Sequence, residues 1–251
     1  MFFRQNKHIK HNNMMKKTLV LLCALVCMGT MTAQEKTKIA CIGNSITYGA
    51  GIKDRNDSYP AVLNRLLGTD KYEVRNFGVS ARTLLSKGDH PYINEQAYRD
   101  AKAFNPDIVT IKLGTNDTKP HNWEHNAEFK DDLRALVKSL RELPSNPTVY
   151  LCYPIAAHRL SWGINDSTAY HHVIPYIAEV AKEMDLPIID LYTPFKPYMH
   201  LCPDAVHPRE DGAAVIAYEI AKVINEKDPK AIKKRQKDAY RMARKAAKAV
   251  K

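Results

Sequence analysis

Four polar residues of this sequence have the types and the order that ester hydrolysis by a serine would need. Ser45 stands in "GNSITYGAG", Asn116 in "GTND", and Asp204 and His207 in "PDAVHP". A serine hydroxyl needs a base before it can attack an ester, and an imidazole oriented by a carboxylate supplies one. The side chain of Asn116 and the backbone N–H of Ser45 could stabilise the oxyanion that forms. These residues predict a serine hydrolase.

The elements that must position these residues alternate between strand-like and helix-like segments. Strand-like runs predict strands at 37–43, 72–76, 107–113, 148–153 and 187–191. Helical periodicity is found at 58–67, 94–104, 126–143, 169–184 and 209–225. Such alternation indicates a parallel sheet with helices on both faces. Because right-handed crossovers bring the carboxyl ends of parallel strands to one edge, the four polar residues are expected to meet there.

The same segments resemble the SGNH hydrolases, also called the GDSL esterase/lipase family. The resemblance rests on Gly43-Asn44-Ser45-Ile46, Gly114-Thr115-Asn116-Asp117 and Asp204-Ala205-Val206-His207, and it spans about residues 37–225. It implies an α/β protein with a three-layer α/β/α flavodoxin-like fold and a five-stranded parallel sheet. It also implies cofactor-free, metal-free hydrolysis of esters, with Ser45, His207 and Asp204 as the catalytic residues.

Two positions depart from the pattern of that family. Asn44 replaces the usual aspartate before the serine, and we include it among the residues expected near the substrate. The family's second oxyanion donor is the backbone N–H of a glycine, and the corresponding position here is Ala81. Gly78 is the alternative donor, because a φ angle that suits glycine would strain an alanine. We favour Ala81 and keep Gly78 open.

Two other functions are considered on the sequence. "HNWEH", with His121, Glu124 and His125, matches the His-x-x-Glu-His pattern of a zinc site. Pro120 indicates a loop there and no third ligand follows, so we do not predict a metal. A non-catalytic flavodoxin-like binding domain is the second alternative, but it would leave the Asp-x-x-His segment unexplained. Within the resemblance, a lipase, a lysophospholipase or a thioesterase is the alternative to a carbohydrate esterase.

The net charge of +11 is concentrated at the two ends of the chain. Residues 34–226 carry 22 basic and 25 acidic residues, so this body is not a nucleic-acid binder. Residues 1–33 combine Lys16 and Lys17 with the apolar run "TLVLLCALVCM", which predicts a signal peptide and export to the periplasm or the medium. We therefore expect a signal peptide at 1–33, an SGNH hydrolase domain at 34–226 and a basic helical tail at 227–251. The tail is expected to be solvated or docked, with weak association with an anionic surface as the alternative.

The expected substrate is a short acyl ester, chiefly an acetyl ester on a carbohydrate. Exported proteins of this type resemble bacterial carbohydrate O-acetylesterases such as sialate O-acetylesterase. The segments 118–129 and 155–170 could overhang the site, and both are polar. A tryptophan beside hydrogen-bonding residues suits a sugar ring. The substrate-binding candidates in these segments are Trp123, His158, Arg159 and Trp162.

Overall fold

A parallel sheet of five strands forms the centre of the molecule, in a computed structural model that describes residues 35–248. The strands are β1 (Thr37–Gly43), β2 (Tyr72–Gly78), β3 (Ile108–Lys112), β4 (Thr148–Cys152) and β5 (Ile188–Ile189). Their order is β2-β1-β3-β4-β5, and every neighbouring pair is parallel. Each strand overlaps a predicted segment, and only β2 extends beyond it, to Gly78. The predicted α/β fold with a five-stranded parallel sheet is confirmed.

Ten α-helices connect and flank the strands within the described range. They are α1 (Ser45–Tyr48), α2 (Tyr59–Leu67), α3 (Gln96–Ala103), α4 (Pro120–Trp123), α5 (Phe129–Arg141), α6 (Asp166–Thr168), α7 (Ile174–Glu183), α8 (Tyr192–Phe195), α9 (Glu210–Ile224) and α10 (Pro229–Lys248). A π-helical turn, Ala169–Val173, leads directly into α7. Because Pro175 has no N–H to donate, the regular α-helical hydrogen bonding cannot run unbroken through this junction.

Two hydrophobic layers bury the two faces of the sheet. On one face, α5 contributes Phe129, Leu133, Leu136, Val137 and Leu140, whose spacing places them on one side of the helix. Helices α3, α7 and α10 also contribute residues to this layer. On the other face, α2 and α9 pack together over β1 and β4. The result is the predicted three-layer arrangement, which leaves the carboxyl ends of the strands free to carry loops.

The basic tail forms a docked helix over the part of it that the structure describes. In α10, Ala239, Ala243 and Ala246 are buried. Gln236 accepts a hydrogen bond from the Ile188 N–H and donates one to the Ile188 carbonyl, both at 2.9 Å. The side chain thus pairs with the outer strand β5, whose backbone would otherwise be an open sheet edge.

Several regions predicted from the sequence lie outside residues 35–248. The signal peptide predicted at 1–33 and the last three residues of the tail belong to that part of the chain. Among the described helices, none combines the length and the hydrophobicity that a membrane crossing requires.

Candidate active site

The turn after β1 places Ser45 at the first position of α1. A Cβ atom on Gly43 would lie 2.0 Å from Thr47 Oγ1 and 2.9 Å from the Lys112 carbonyl oxygen, so only glycine fits there. Asn44 follows as the N-cap, and its Oδ1 accepts the Ile46 N–H at 3.1 Å. The Ser45 N–H is at the start of the helix and has no acceptor among residues 35–248.

A continuous hydrogen-bonded row joins the serine, the histidine and the aspartate. His207 Nε2 lies 2.8 Å from Ser45 Oγ, and His207 Nδ1 lies 2.6 Å from Asp204 Oδ2. With Nδ1 protonated towards the carboxylate, Nε2 is the nitrogen that can accept the serine proton. This is the geometry that a nucleophile, a base and an orienting carboxylate require.

The loop before α9 holds Asp204 in its ionised form. Its Oδ1 accepts the backbone N–H groups of Val206 at 3.0 Å and His207 at 2.7 Å. Burial acts to raise the pKa of Asp204, but these backbone hydrogen bonds and the contact with the His207 ring outweigh it, so the pKa is lowered overall. Ala205 adopts a φ of 73°, a left-handed conformation that turns the chain back between the two functional residues.

Three donors are available for an oxyanion beside Ser45. Besides the Ser45 N–H, the Asn116 side chain lines the same pocket, and its Nδ2 donates to the Arg82 carbonyl at 3.0 Å. That bond uses one of its two amide hydrogens and orients the other. Ala81 lines the pocket as well and has a φ of 68°. Its N–H has no acceptor in the described part of the chain.

The alternative assignment of this donor to Gly78 is wrong. The Gly78 N–H is already donated to Asn76 Oδ1 at 2.9 Å, so it is not free for an oxyanion. The glycine is needed for another reason. A Cβ atom there would lie 2.2 Å from the backbone nitrogen of Tyr48, against the helix that carries Ser45.

A cavity of about 200 Å³ opens over these groups. It is lined by Ser45, Ala50, Ser80, Ala81, Asn116, Lys119, Trp162, Ile164 and His207. Trp162 is 70% exposed and has a φ of 57°, so its indole stands at the rim. A larger groove of about 470 Å³ lies between α7 and α10, and none of the residues predicted for catalysis lines it.

The structure corrects four of the substrate-binding candidates. Trp123 does not line the cavity, because its ring is packed among Phe129, Tyr176 and His172 with ring centroids about 6 Å apart. Asn44 is fully buried as the N-cap of α1, so it cannot contact substrate from that position.

The two polar candidates of the 155–170 segment also lie outside the cavity lining. Arg159 directs its guanidinium to the Pro203 carbonyl at 3.3 Å, so it contacts the loop that carries Asp204. His158 is exposed. Of the residues predicted in this segment, only Trp162 faces the cavity.

The zinc-like pattern does not form a shared helical face. Helix α4 ends at Trp123, between His121 and His125. His121 Nε2 instead lies 3.1 Å from Asp89 Oδ2. Within residues 35–248, no group of three or more His, Cys, Asp or Glu side chains is placed to hold a metal ion.

Two residues important to this site were not singled out from the sequence. Lys119 lines the cavity three positions after Asn116. Asp117 is fully buried and its Oδ1 accepts the Leu85 N–H at 2.8 Å, which ties the loop after β3 to the loop after β2. Burial raises the pKa of Asp117 to about 6. The feature of the sequence that could have identified both residues is that they closely follow Asn116 in the same segment.

Comparisons with known proteins identify the family of this chain. The model of the GDSL-like Lipase/Acylhydrolase family matches residues 41–215. A curated acetylxylan esterase from Xylanibacter ruminicola is 46% identical over 210 residues, which is 76% of this chain and 44% of that protein. The chain thus spans less than half the length of this relative.

Solved structures share the fold. The crystal structure of an acetyl xylan esterase, AlAXEase, has a TM-score of 0.60 at 22% identity and covers 74% of this chain and 99% of its own. A catalytic mutant of the acetylxylan esterase Axe2 from Geobacillus stearothermophilus has a TM-score of 0.60 at 20% identity, covering 77% and 97%. At these identities the likeness concerns the fold alone. From the family match and the 46% identical relative, the chain belongs to the GDSL-like lipase/acylhydrolase family, the SGNH family of ester hydrolases.

Proposed function

We propose that this protein is a serine esterase that removes acetyl groups from carbohydrates, of the kind found on acetylated xylan. The observation that carries the proposal is the contact of His207 with both Ser45 and Asp204, at 2.8 and 2.6 Å, at the floor of an open cavity. Such a row has the geometry to activate a serine hydroxyl, and no cofactor is required for the chemistry.

In the proposed mechanism, Ser45 Oγ attacks the acetyl carbonyl while His207 Nε2 takes the hydroxyl proton. The tetrahedral oxyanion is stabilised by the N–H groups of Ser45 and Ala81 and by Asn116 Nδ2. When the bond to the sugar oxygen breaks, His207 returns the proton to that oxygen, and an acetyl-serine remains. Water, deprotonated by His207, then releases acetate and regenerates Ser45. Asp204 stabilises the imidazolium at each step without taking the proton.

The preference for a short acyl group follows from the cavity beside Ser45. Ala50, Ala81 and Ile164 are the aliphatic residues in the lining of this cavity, and their side chains offer apolar surface to an acetyl methyl group. A long acyl chain would need an extended apolar channel to bury its methylene groups. The volume of about 200 Å³ also has to accommodate part of the alcohol. These features support acetyl esters over the lipase or thioesterase alternative.

Two observations support a carbohydrate as the alcohol part of the ester: the name of a relative and the tryptophan at the rim of the cavity. The 46% identical relative is named acetylxylan esterase, and an exposed indole at the rim suits the apolar face of a sugar. We also propose, from the sequence of residues 1–33, that the protein is exported. A weak association of the basic tail with an anionic surface stays a proposal as well.

Two assays test the proposal. One measures acetate release from acetylated xylooligosaccharides, and the other compares the rates on chromogenic esters of different acyl-chain length. We expect acetate to be released from acetylated xylooligosaccharides, and 4-nitrophenyl acetate to be cleaved faster than the butyrate, with little turnover of the palmitate. Preference for palmitate would support a lipase instead. Absence of turnover on every ester, by a folded protein, would support the binding-domain alternative. A chelator should leave the rate unchanged.

A further inference from the structure

Lys119 places a cation in the wall of the active-site cavity, where the proposed acetyl transfer does not need one. It follows the short helical turn Asn116–Thr118 and lines the cavity together with Ser45 and His207. Its side chain is only 14% exposed, and its Nζ lies 3.5 Å from Asp89 Oδ2. No other ion pair or hydrogen bond engages this Nζ within residues 35–248, so the ammonium has donor capacity to spare.

The partner carboxylate is itself held in place. Asp89 Oδ1 accepts a hydrogen bond from Asn122 Nδ2 at 3.1 Å, and the Asp89 N–H donates to Asn122 Oδ1 at 2.8 Å. Asn122 Nδ2 also donates to the Asn116 carbonyl at 2.9 Å. The network that positions Lys119 therefore shares Asn122 with the loop that positions the proposed oxyanion donor.

The stem of Lys119 lies against the loop that carries Trp162. A Cβ atom on Gly163 would lie 3.6 Å from Lys119 Cγ and 3.8 Å from its Cβ, so this glycine and the lysine stem are close neighbours. The same wall of the cavity thus combines a cation with a flat, exposed indole. Sugars present hydroxyl oxygens beside apolar C–H faces, and this pair of side chains matches both.

The hydrogen-bonding groups of the ester indicate whether Lys119 contacts its acetyl part or its sugar part. An acetyl methyl group offers no acceptor, and burying an ammonium against it would remove water without a replacement hydrogen bond. The hydroxyl oxygens of a sugar can replace that water. Since Asp89 already balances the charge of Lys119, neutral hydroxyl groups are more suitable acceptors than a second carboxylate.

We propose that Lys119 is a specificity-determining residue of this active site, which donates hydrogen bonds to hydroxyl groups of the sugar from which the acetyl group is removed. This inference rests on the proposed carbohydrate esterase function. Lys119 recognises the alcohol part of the ester, Trp162 packs against the same sugar, and the acetyl group occupies the remaining apolar wall.

The experiment compares kcat/KM for two substrates that share the acetyl group and differ in the alcohol. These are an acetylated xylooligosaccharide and 4-nitrophenyl acetate, whose leaving group has no hydroxyl substituents. Lys119→Met keeps most of the apolar stem and removes the charge. We expect the ratio of kcat/KM on the sugar ester to that on the aryl ester to fall about 10- to 100-fold, the usual effect of a hydrogen bond from a charged group. Lys71→Met, at an exposed lysine before β2, is the matched control and should leave the ratio unchanged.

A second measurement does not depend on turnover of the sugar ester. Deacetylated xylooligosaccharide should inhibit aryl acetate hydrolysis by the wild type and do so more weakly in Lys119→Met. Should that variant not fold in a thermal melt, Lys119→Gln takes its place. An unchanged ratio together with unchanged inhibition would overturn the role of Lys119. A wild type that cleaves aryl acetate but neither turns over nor binds the sugars would instead overturn the carbohydrate part of the proposed function.

Discussion

The Gly78 N–H donates to Oδ1 of Asn76 at 2.9 Å, and this single bond removes Gly78 from the oxyanion site. Asn76 is itself fixed, because its Nδ2 donates to the Thr47 carbonyl at 2.8 Å in the helix that carries Ser45. The asparagine therefore joins the end of β2 to the nucleophile's helix. The oxyanion donor from this loop must come from further along, where Ala81 lines the cavity.

Ala81→Gly should retain the esterase activity, because the proposed donor is a backbone N–H that glycine also has. Alanine at a φ of 68° carries a steric cost of about 1–2 kcal/mol that glycine avoids. The greater freedom of glycine in the unfolded chain offsets part of this gain. We expect kcat on 4-nitrophenyl acetate within about 3-fold of the wild type, less than the loss of one oxyanion donor. Thermal melts should show equal or slightly higher stability.

The same assay tests whether the backbone at position 81 is used at all. Ala81→Val should be strained at this φ, since β-branched residues adopt it rarely. A variant that still folds should then have lower kcat, because the N–H is displaced. Full activity in a folded Ala81→Val protein would contradict the assignment.

Asn116→Ala should lower kcat by about 100- to 1000-fold, the usual cost of one oxyanion donor. KM should change less, because this hydrogen bond strengthens as charge develops on the carbonyl oxygen. Loss of the bond to the Arg82 carbonyl should also cost about 1 kcal/mol of stability. Steady-state kinetics with 4-nitrophenyl acetate measure the first effect and denaturant unfolding the second. Wild-type kcat in a folded Asn116→Ala protein would remove Asn116 from the oxyanion site.

Ser45→Ala and Asp204→Asn should separate the nucleophile from the residue that orients the base. Ser45→Ala removes the attacking oxygen and should lower kcat by about 10⁶-fold. Asp204→Asn removes the charge that stabilises the imidazolium and should cost about 10⁴-fold. Both proteins should fold, since neither substitution changes the volume of the core. Active-site labelling by an organophosphate should be absent in Ser45→Ala and slow in Asp204→Asn; normal labelling of Ser45→Ala would point to another nucleophile.

The fold was predictable because the central strands β1 and β3 are largely buried, which makes them short apolar runs between helical periods. Ile39, Ala40, Cys41 and Ile42 are all fully buried in β1, as such a run implies. The Ser45, Asn116 and His207 segments could be brought together because parallel strands share one edge. The fold follows from the local sequence pattern, and the grouping of the three segments follows from the parallel topology of the sheet.

The remaining features depend on contacts between distant segments. Trp123 lies in a polar segment, yet its ring stacks on Tyr176 at 5.9 Å between centroids, a partner more than fifty residues away. The choice between Ala81 and Gly78 as the oxyanion donor depends on which backbone N–H donates to Asn76 Oδ1, and that is the N–H of Gly78. The burial of Asn44 depends on how α1 packs on the sheet. None of these can be obtained from composition or periodicity alone.

Lys112 is a buried charged side chain whose titration should make stability depend on pH. It is wholly buried in β3, and its Nζ has no hydrogen-bond partner among the described residues. Burial lowers the pKa of this ammonium to about 8. The unfolded chain should titrate near a pKa of about 10.4. The folded protein therefore loses this proton first, so stability rises as pH increases from about 8 to about 10.4 and is independent of this group below about 8, where both states are protonated.

Lys112→Met should consequently stabilise the protein at pH 7, where the wild type has to bury the charged form. The shift in pKa corresponds to about 3 kcal/mol, which would raise the Tm by about 6–12 °C in a chain of this size. Methionine keeps the length of the side chain and fills the same space. The gain should shrink when the melts are repeated at pH 10, because the wild type is then largely neutral at this position. Lys71→Met should give no such pH-dependent difference. A Lys112→Met protein that is less stable at pH 7 would mean that the ammonium is held by an internal water or another polar partner, so that its burial is compensated.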